Sequence, residues 1–276
     1  QRYGISGCMY RIYDLQKASM MKRFSAFLLD FILLIILTTG FMWLISAVTG
    51  YADYTSAIDN KMSEIEAKYD IPAISEEYKI DLNQYDILSK EEKEKYPAEV
   101  RAAFDACIEE INSNDDINHT YVMIISLTIL MVSLSLFLAT FLLEFVVPLI
   151  LKNGQTVGKK VFALAVMRID GVRVTPVIMF VRSILGKYTV EIMIPVIILL
   201  MLFFGVGSIV TLAVIPLILI FELILVIATK TNSFIHDVLS STVLVDLPSQ
   251  MIFDSVKAKL EYQARIHSED AKKAKY

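Results

Sequence analysis

Residues 192–221 run for thirty positions without a charged side chain. Residues 31–48 and 121–143 are likewise uncharged. A soluble domain carries apolar stripes rather than blocks of this length. About 20 apolar residues suffice to cross the ~30 Å hydrocarbon core of a bilayer. The blocks predict spans near 24–48, 121–148, 189–205 and 208–229. The last two form a hairpin turning at Gly205-Val206-Gly207-Ser208, or alternatively a re-entrant hairpin. Pro195 and Pro216 kink them, and neighbours must satisfy the freed carbonyls. The expected fold is an all-α integral membrane protein. It is a four-span helical bundle with a helical extracytoplasmic insert and a short cytoplasmic hairpin and amphipathic helix. A mean hydropathy of +0.57 agrees with a membrane class.

Charge sets the expected orientation. Residues 51–118 hold 7 Lys/Arg against 18 Asp/Glu, and the remainder holds 19 against 12. Positive charge near span ends marks the cytoplasm. Lys22 and Arg23, the run from Lys152 to Lys187, and Lys230 all fall on one side of a four-span chain. The expectation is a multi-pass inner (plasma) membrane protein with both termini cytoplasmic and the acidic segment outside. The chain divides into a cytoplasmic segment 1–21, a first span 22–49, the insert 50–118 and a second span 119–151. A linker 152–188, a span hairpin 189–229, a closing motif 230–248 and a cytoplasmic tail helix 249–276 complete it. Met20-Met21 directly precede the first span, so residues 1–19 read as an extension of uncertain nativeness. Cys8 and Cys107 lie on opposite sides in this topology and cannot bridge.

In the insert, Ile58, Met62, Ile65 and Tyr69 recur at helical spacing. So do Val100, Phe104, Cys107, Ile108 and Ile111, after Pro97 at a helix start. The two stripes predict a packed helical pair, with 70–89 irregular between them. The acids read as solvated helix faces rather than a calcium loop. In the linker, 161–169 reads as a strand, Asp170-Gly171 as a hairpin turn and 172–174 as the returning strand. Thr175-Pro176 starts an amphipathic helix lying on the membrane surface. The tail carries Ile252, Val256 and Leu260 on one side, facing anionic lipid, a partner or water.

Each apolar segment carries one carboxylate. Asp30 is eight residues after Lys22, Glu144 eight before Lys152, and Glu222 eight before Lys230. Glu191 follows Lys187 by four. Eight residues place an acid ~12 Å inside its lysine. Such acids cost ~2.5–3.5 kcal/mol on insertion scales and normally face a partner, a cavity or a pathway. Asp30, Glu144, Glu222 and Glu191 are therefore the candidates for transport or ion binding. Two readings stand. In one, Asp30, Glu144 and Glu222 form a carboxylate cluster that exchanges protons for cations. In the other, Arg23 and Asp237 form an edge clamp, and Ser/Thr hydroxyls hold Asp30. Asn232 or Ser233 is expected to cap the helix carrying Asp237. His236 reads as an edge hydrogen-bonding group.

Three stretches together resemble the RDD family of bacterial membrane proteins. The first is Lys22-Arg23-Phe24-Ser25-Ala26-Phe27-Leu28-Leu29-Asp30. The second is Asn153-Gly154-Gln155-Thr156-Val157-Gly158-Lys159-Lys160, followed by Asp170-Gly171. The third is Phe234-Ile235-His236-Asp237-Val238-Leu239-Ser240-Ser241-Thr242-Val243. The resemblance covers about 20–50 and 120–246. It marks Arg23, Asp30, Asp237, His236, Gly154, Gly158 and Lys159 as family-motif positions. The long insert departs from the family's short outer loop, and Ser240-Ser241 replace the commoner Ala-Gly. The resemblance implies transport of ligands, with cation/proton exchange suggested for some members.

No nucleophile elbow, zinc spacing or nucleotide loop is present, and 154–158 lacks Walker A spacing. The chain is read as a non-enzyme without cofactor, metal or nucleic acid. Its expected function is a transporter or exchanger of small cations or solutes, and its expected partners are lipid and a homo-oligomer or partner membrane protein. The alternative is a non-transporting subunit or scaffold whose insert 51–118 binds an extracytoplasmic protein.

Overall fold

The computed structural model describes residues 16–205 and 208–273. The expectations for Cys8, for most of 1–21, and for Val206 and Gly207 of the turn lie outside these residues. The chain forms two compact units, 42–132 and the remainder.

Among the described residues, three helices are long and apolar enough to cross a membrane. They are α1 (Met20–Thr49), α7 (Asp115–Leu151) and α9 (Pro176–Phe203). Their Leu, Ile, Phe and Val side chains are widely exposed, as at Phe24, Phe27, Ile36, Leu130, Ile197 and Leu199. An apolar surface of this extent requires lipid or protein to cover it. The expected fourth span is interrupted: α10 (Ile209–Leu212) is followed by α11 (Val214–Ala228). Pro216 has no N–H for the Leu212 carbonyl, and its ring crowds that group.

Within the larger unit, α8 (Val157–Val161) follows α7, and β1 (Leu164–Arg168) follows α8. After α11 come α12 (Ile235–Leu239) and β2 (Thr242–Asp246). The strands pair antiparallel, Leu164 opposite Asp246 and Arg168 opposite Thr242. The expected turn forms, with Gly171 N donating to the Arg168 carbonyl and Arg168 N to the Val172 carbonyl, and 172–174 returns as isolated bridges at Arg173–Met167 and Val172–Phe253. The full-length partner of 164–168 is the distant β2, which the sequence reading did not foresee. Both strands are apolar on both faces. Leu164, Val166 and Leu244 pack with Ala18 and Ala26, and Ala165, Met167, Val243 and Val245 pack with Ile252. A doubly covered strand needs such a continuous apolar run.

The surface-helix expectation is corrected. Thr175 caps the helix start through Ile178 N as foreseen. The helix does not stop at 188, because nothing there breaks it, and it continues as α9 to Phe203. Its polar residues Arg182 and Ser183 are buried. The tail helix α13 (Val256–Lys273) follows Phe253, which pairs with Gly171, and Lys259 donates to the Asp170 carbonyl at 2.6 Å.

The smaller unit contains α2 (Tyr51–Lys68) and α6 (Ala98–Ser113), carrying the two expected stripes. Ile58, Ile65, Val100, Phe104 and Cys107 share one core. The stretch 70–89 is more regular than expected: α3 (Ile71–Tyr78) and α4 (Leu82–Asp86) precede α5 (Lys90–Lys93). Asp81 with Gln84 and Ser89 with Glu92 form capping boxes that start the last two. Ile71, Leu82 and Tyr85 then enter the core, with Tyr85 stacked 4.4 Å from Phe104.

Candidate functional site: a charged network among apolar helices

Two of the apolar helices contain π-helical stretches, at Phe141–Val146 in α7 and Val181–Met193 in α9. Each holds a glutamate four residues before a proline, Glu144 before Pro148 and Glu191 before Pro195. A proline at i+4 removes the donor that an α-helix would offer to that carbonyl. Local π winding absorbs the lost bond, and such π segments recur at functional sites. In α9 the winding has a further effect. At ~100° per residue, Arg182 and Lys187 would lie ~140° apart. With i→i+5 ladders they come onto one face.

Asp30, on α1, accepts from Thr156 Oγ1 and, at 2.7 Å, from Gly158 N. Thr156 also caps α8 through Lys159 N. Gly158 is required for this approach: a Cβ there would run into the Ala26 carbonyl and lie 2.9 Å from the Asp30 carboxyl. Gly154 packs similarly against Val166, and its φ is +61°.

Arg23 does not clamp Asp237. Its guanidinium donates to four backbone carbonyls, of Ala18, Thr231, Asn232 and Leu244. It ties the start of α1 to the segment entering α12 and to β2. Asp237 pairs instead with Arg182, which also donates to Thr242 Oγ1. Burial disfavours the Asp237 anion, yet Arg182, His236 and the Phe234 N–H hold its carboxyl down at about 2. The N-cap of α12 is Phe234, whose N–H is met by Asp237 itself, rather than Asn232 or Ser233.

Glu144 receives two cations, Lys187 and, at 3.3 Å, Lys159. Both lysines thus lie against a buried carboxylate. Glu191 accepts from the His236 backbone N at 3.0 Å and shares a second hydrogen bond with His236 Nδ1 at 2.7 Å. Gly186 lets α12 approach, since a Cβ there would lie 2.7 Å from His236 Cα. The Glu222 side chain reaches Glu191 from α11.

Asp30, Glu144 and Glu222 thus do not form one carboxylate cluster. Asp30 is closed by α8, Glu144 by two lysines, and Glu222 meets the fourth candidate, Glu191. The sequence reading missed Arg182, Lys187, Thr156 and Thr242. Repeated Glu-x-x-x-Pro was the available signal for the first two, because it marks where α-helical phase fails. No group of three or more His, Cys, Asp and Glu side chains converges in metal-holding geometry among the described residues.

No curated protein and no solved structure matches the chain. A family model, that of the RDD family, matches residues 17–241. The match covers most of the chain, including Arg23, Asp30, Gly158, Lys159 and Asp237 in their network, and the chain belongs to the RDD family.

Proposed function

We propose that this protein is a transporter or exchanger of small cations or solutes that works through intramembrane carboxylates. The observation that carries the reading is the Glu191–Glu222 contact. Two acids from different apolar helices meet where hydrocarbon makes unpartnered charge costly. Asp30 and Glu144 already have a donor on each carboxylate oxygen and are assigned to positioning the helices. No catalytic step is assigned to the chain.

The working topology has four crossings, with α10–α11 as the fourth, in a bacterial inner membrane. Two contacts support it. Arg23 binds carbonyls at 231, 232 and 244. β1 pairs with β2. Together they bring the start of α1, the α7–α9 connection and the segment after α11 to one end of this unit. That end carries the basic residues and is assigned to the cytoplasm, with 50–118 outside and both termini inside. Four helices enclose little space, so a homo-oligomer or a partner membrane protein completes the pathway. Reconstitution in liposomes with a panel of cation and proton gradients tests the function. Absence of flux for every ion and solute in the panel would reject it.

A second reading rests on the independent core of the insert. Ile58, Ile65, Tyr85, Phe104 and Cys107 bury one another. A domain of this kind suits a scaffold that binds an extracytoplasmic protein. Under that reading, replacing 53–117 by a Gly/Ser linker abolishes partner capture and leaves a folded membrane core.

A further inference from the structure

We propose that Glu191, Glu222 and His236 form a single-proton site within the charged network. The inference deepens the exchanger reading and rests on it for its biological use, although the site can be tested without flux.

The chemistry follows from donors and acceptors. Glu191 accepts from His236 N and is hydrogen-bonded to His236 Nδ1. With Glu191 as the anion, which already accepts from the His236 backbone N–H, Nδ1 carries the hydrogen of the second contact. Glu222 lies within hydrogen-bonding reach of the same carboxylate. Two anions cannot share a hydrogen bond, so the proton between them belongs to Glu222. It donates to Glu191, and the triad holds one negative charge.

Charge balance across the network points to the same count. Its cations are Arg23, Lys159, Arg182 and Lys187, and its acids are Asp30, Glu144, Glu191, Glu222 and Asp237. Four fixed positive charges face five acids, so one bound proton neutralises the set. Uncompensated charge in a low-dielectric interior is expensive. Two sites can hold that proton: Glu222, or the imidazole of His236. Transfer from Glu222 to His236 leaves both glutamates ionised around an imidazolium and keeps the sum at zero. Loss of the proton to water leaves the network one negative charge in excess, and a monovalent cation is the species that would restore balance.

The charged groups facing the triad fit this exchange. From the same helix, Lys187 acts on Glu191 but is already bound to Glu144. From α12, Asp237 lies 3.8 Å from His236 Nε2 and is bound to Arg182. From α11, Glu222 itself closes the site. The cations nearby are thus committed to other acids.

The test is infrared difference spectroscopy of the full chain in lipid nanodiscs during a pH titration. A protonated-carboxyl C=O band that titrates is expected in the wild type. It should be lost in Glu222→Gln, and its midpoint should move at least tenfold in proton concentration in His236→Asn. The His236→Asn arm decides the matter should Glu222→Gln not fold. No titrating band, or a band unchanged in both Glu222→Gln and His236→Asn, overturns the site. Liposome flux separates the two inferences. A titrating band without flux keeps the site and rejects the exchanger, whereas flux without the band rejects the site alone.

Discussion

Arg182 and Asp237 form an ion pair whose side chains are 4% and 3% exposed. It joins α9 to α12, and Thr242 Oγ1 binds the same guanidinium. Removing either partner strands a buried charge. Arg182→Ala or Asp237→Ala should each cost about 3–5 kcal/mol. The double variant should lose less than the sum, whereas Arg23→Ala with Asp237→Ala should be closer to additive. Denaturation in detergent of the five variants, Arg23→Ala alone included, measures both couplings. An additive Arg182/Asp237 pair would remove the interaction.

The same pair sets acid stability. The Asp237 carboxyl is held at about 2, below the ordinary aspartate value of 3.8. A depressed carboxyl stabilises the fold above its unfolded pKa, and the contribution disappears as pH falls through the folded one. The lowering corresponds to about 2 kcal/mol, lost between roughly pH 4 and pH 2. Asp237→Asn should flatten the stability profile in that window. A wild-type and variant profile of equal slope there would contradict the assignment.

How much of this was legible in sequence depends on the range of the interaction. Apolar length alone predicts α1 and α7, and period alone predicts the stripes of Ile58–Ile65 and Val100–Cys107, because both are local properties. The motif spacing located Asp30 and Gly158 correctly without revealing that they touch. Pairing was the part that failed. β1 pairs along its length with Thr242–Asp246 and meets the nearby 172–174 only at its end, and Asp237 chose Arg182 over Arg23. Each choice depends on where distant helices end. The phase of α9 was hidden too, since an α-helical reading places Arg182 and Lys187 on different faces and the π winding unites them.

Gly158 is the tightest point between α8 and α1. Gly158→Ala would push a methyl group into the Ala26 carbonyl and the Asp30 carboxyl. Overpacking of this kind costs about 1–3 kcal/mol. The expected readout is a lowered melting temperature in Gly158→Ala, with Gly40→Ala as the control for a glycine that has open space at its Cβ. Equal stability of wild type and Gly158→Ala would show that the two elements can separate freely.

In the insert, Cys107 is fully buried, and burial together with Glu66 and Glu110 pushes its thiol up to about 11. The nucleophile is the thiolate, so both access and ionisation suppress its chemistry. A maleimide at neutral pH should leave Cys107 unmodified in the native protein and modify it after unfolding in urea. Mass spectrometry of the 98–113 peptide checks this. Rapid native labelling would mean that the core of Tyr85, Phe104 and Cys107 opens.

Glu144 and Glu222 should respond oppositely to amide substitution. Glu144 accepts from Lys159 and Lys187, and Glu144→Gln would leave two inward lysines sharing one neutral amide. Breaking a buried ionic set costs about 3–5 kcal/mol, so this variant should be strongly destabilised. Glu222 carries no such obligation in its contact with Glu191. A Gln there still donates to the Glu191 carboxylate through its amide and removes only the exchangeable proton. Glu222→Gln should keep near wild-type thermal stability and abolish the pH dependence of flux in liposomes. Comparable stability losses in the two variants, with pH-dependent flux intact in Glu222→Gln, would place both acids among the structural residues.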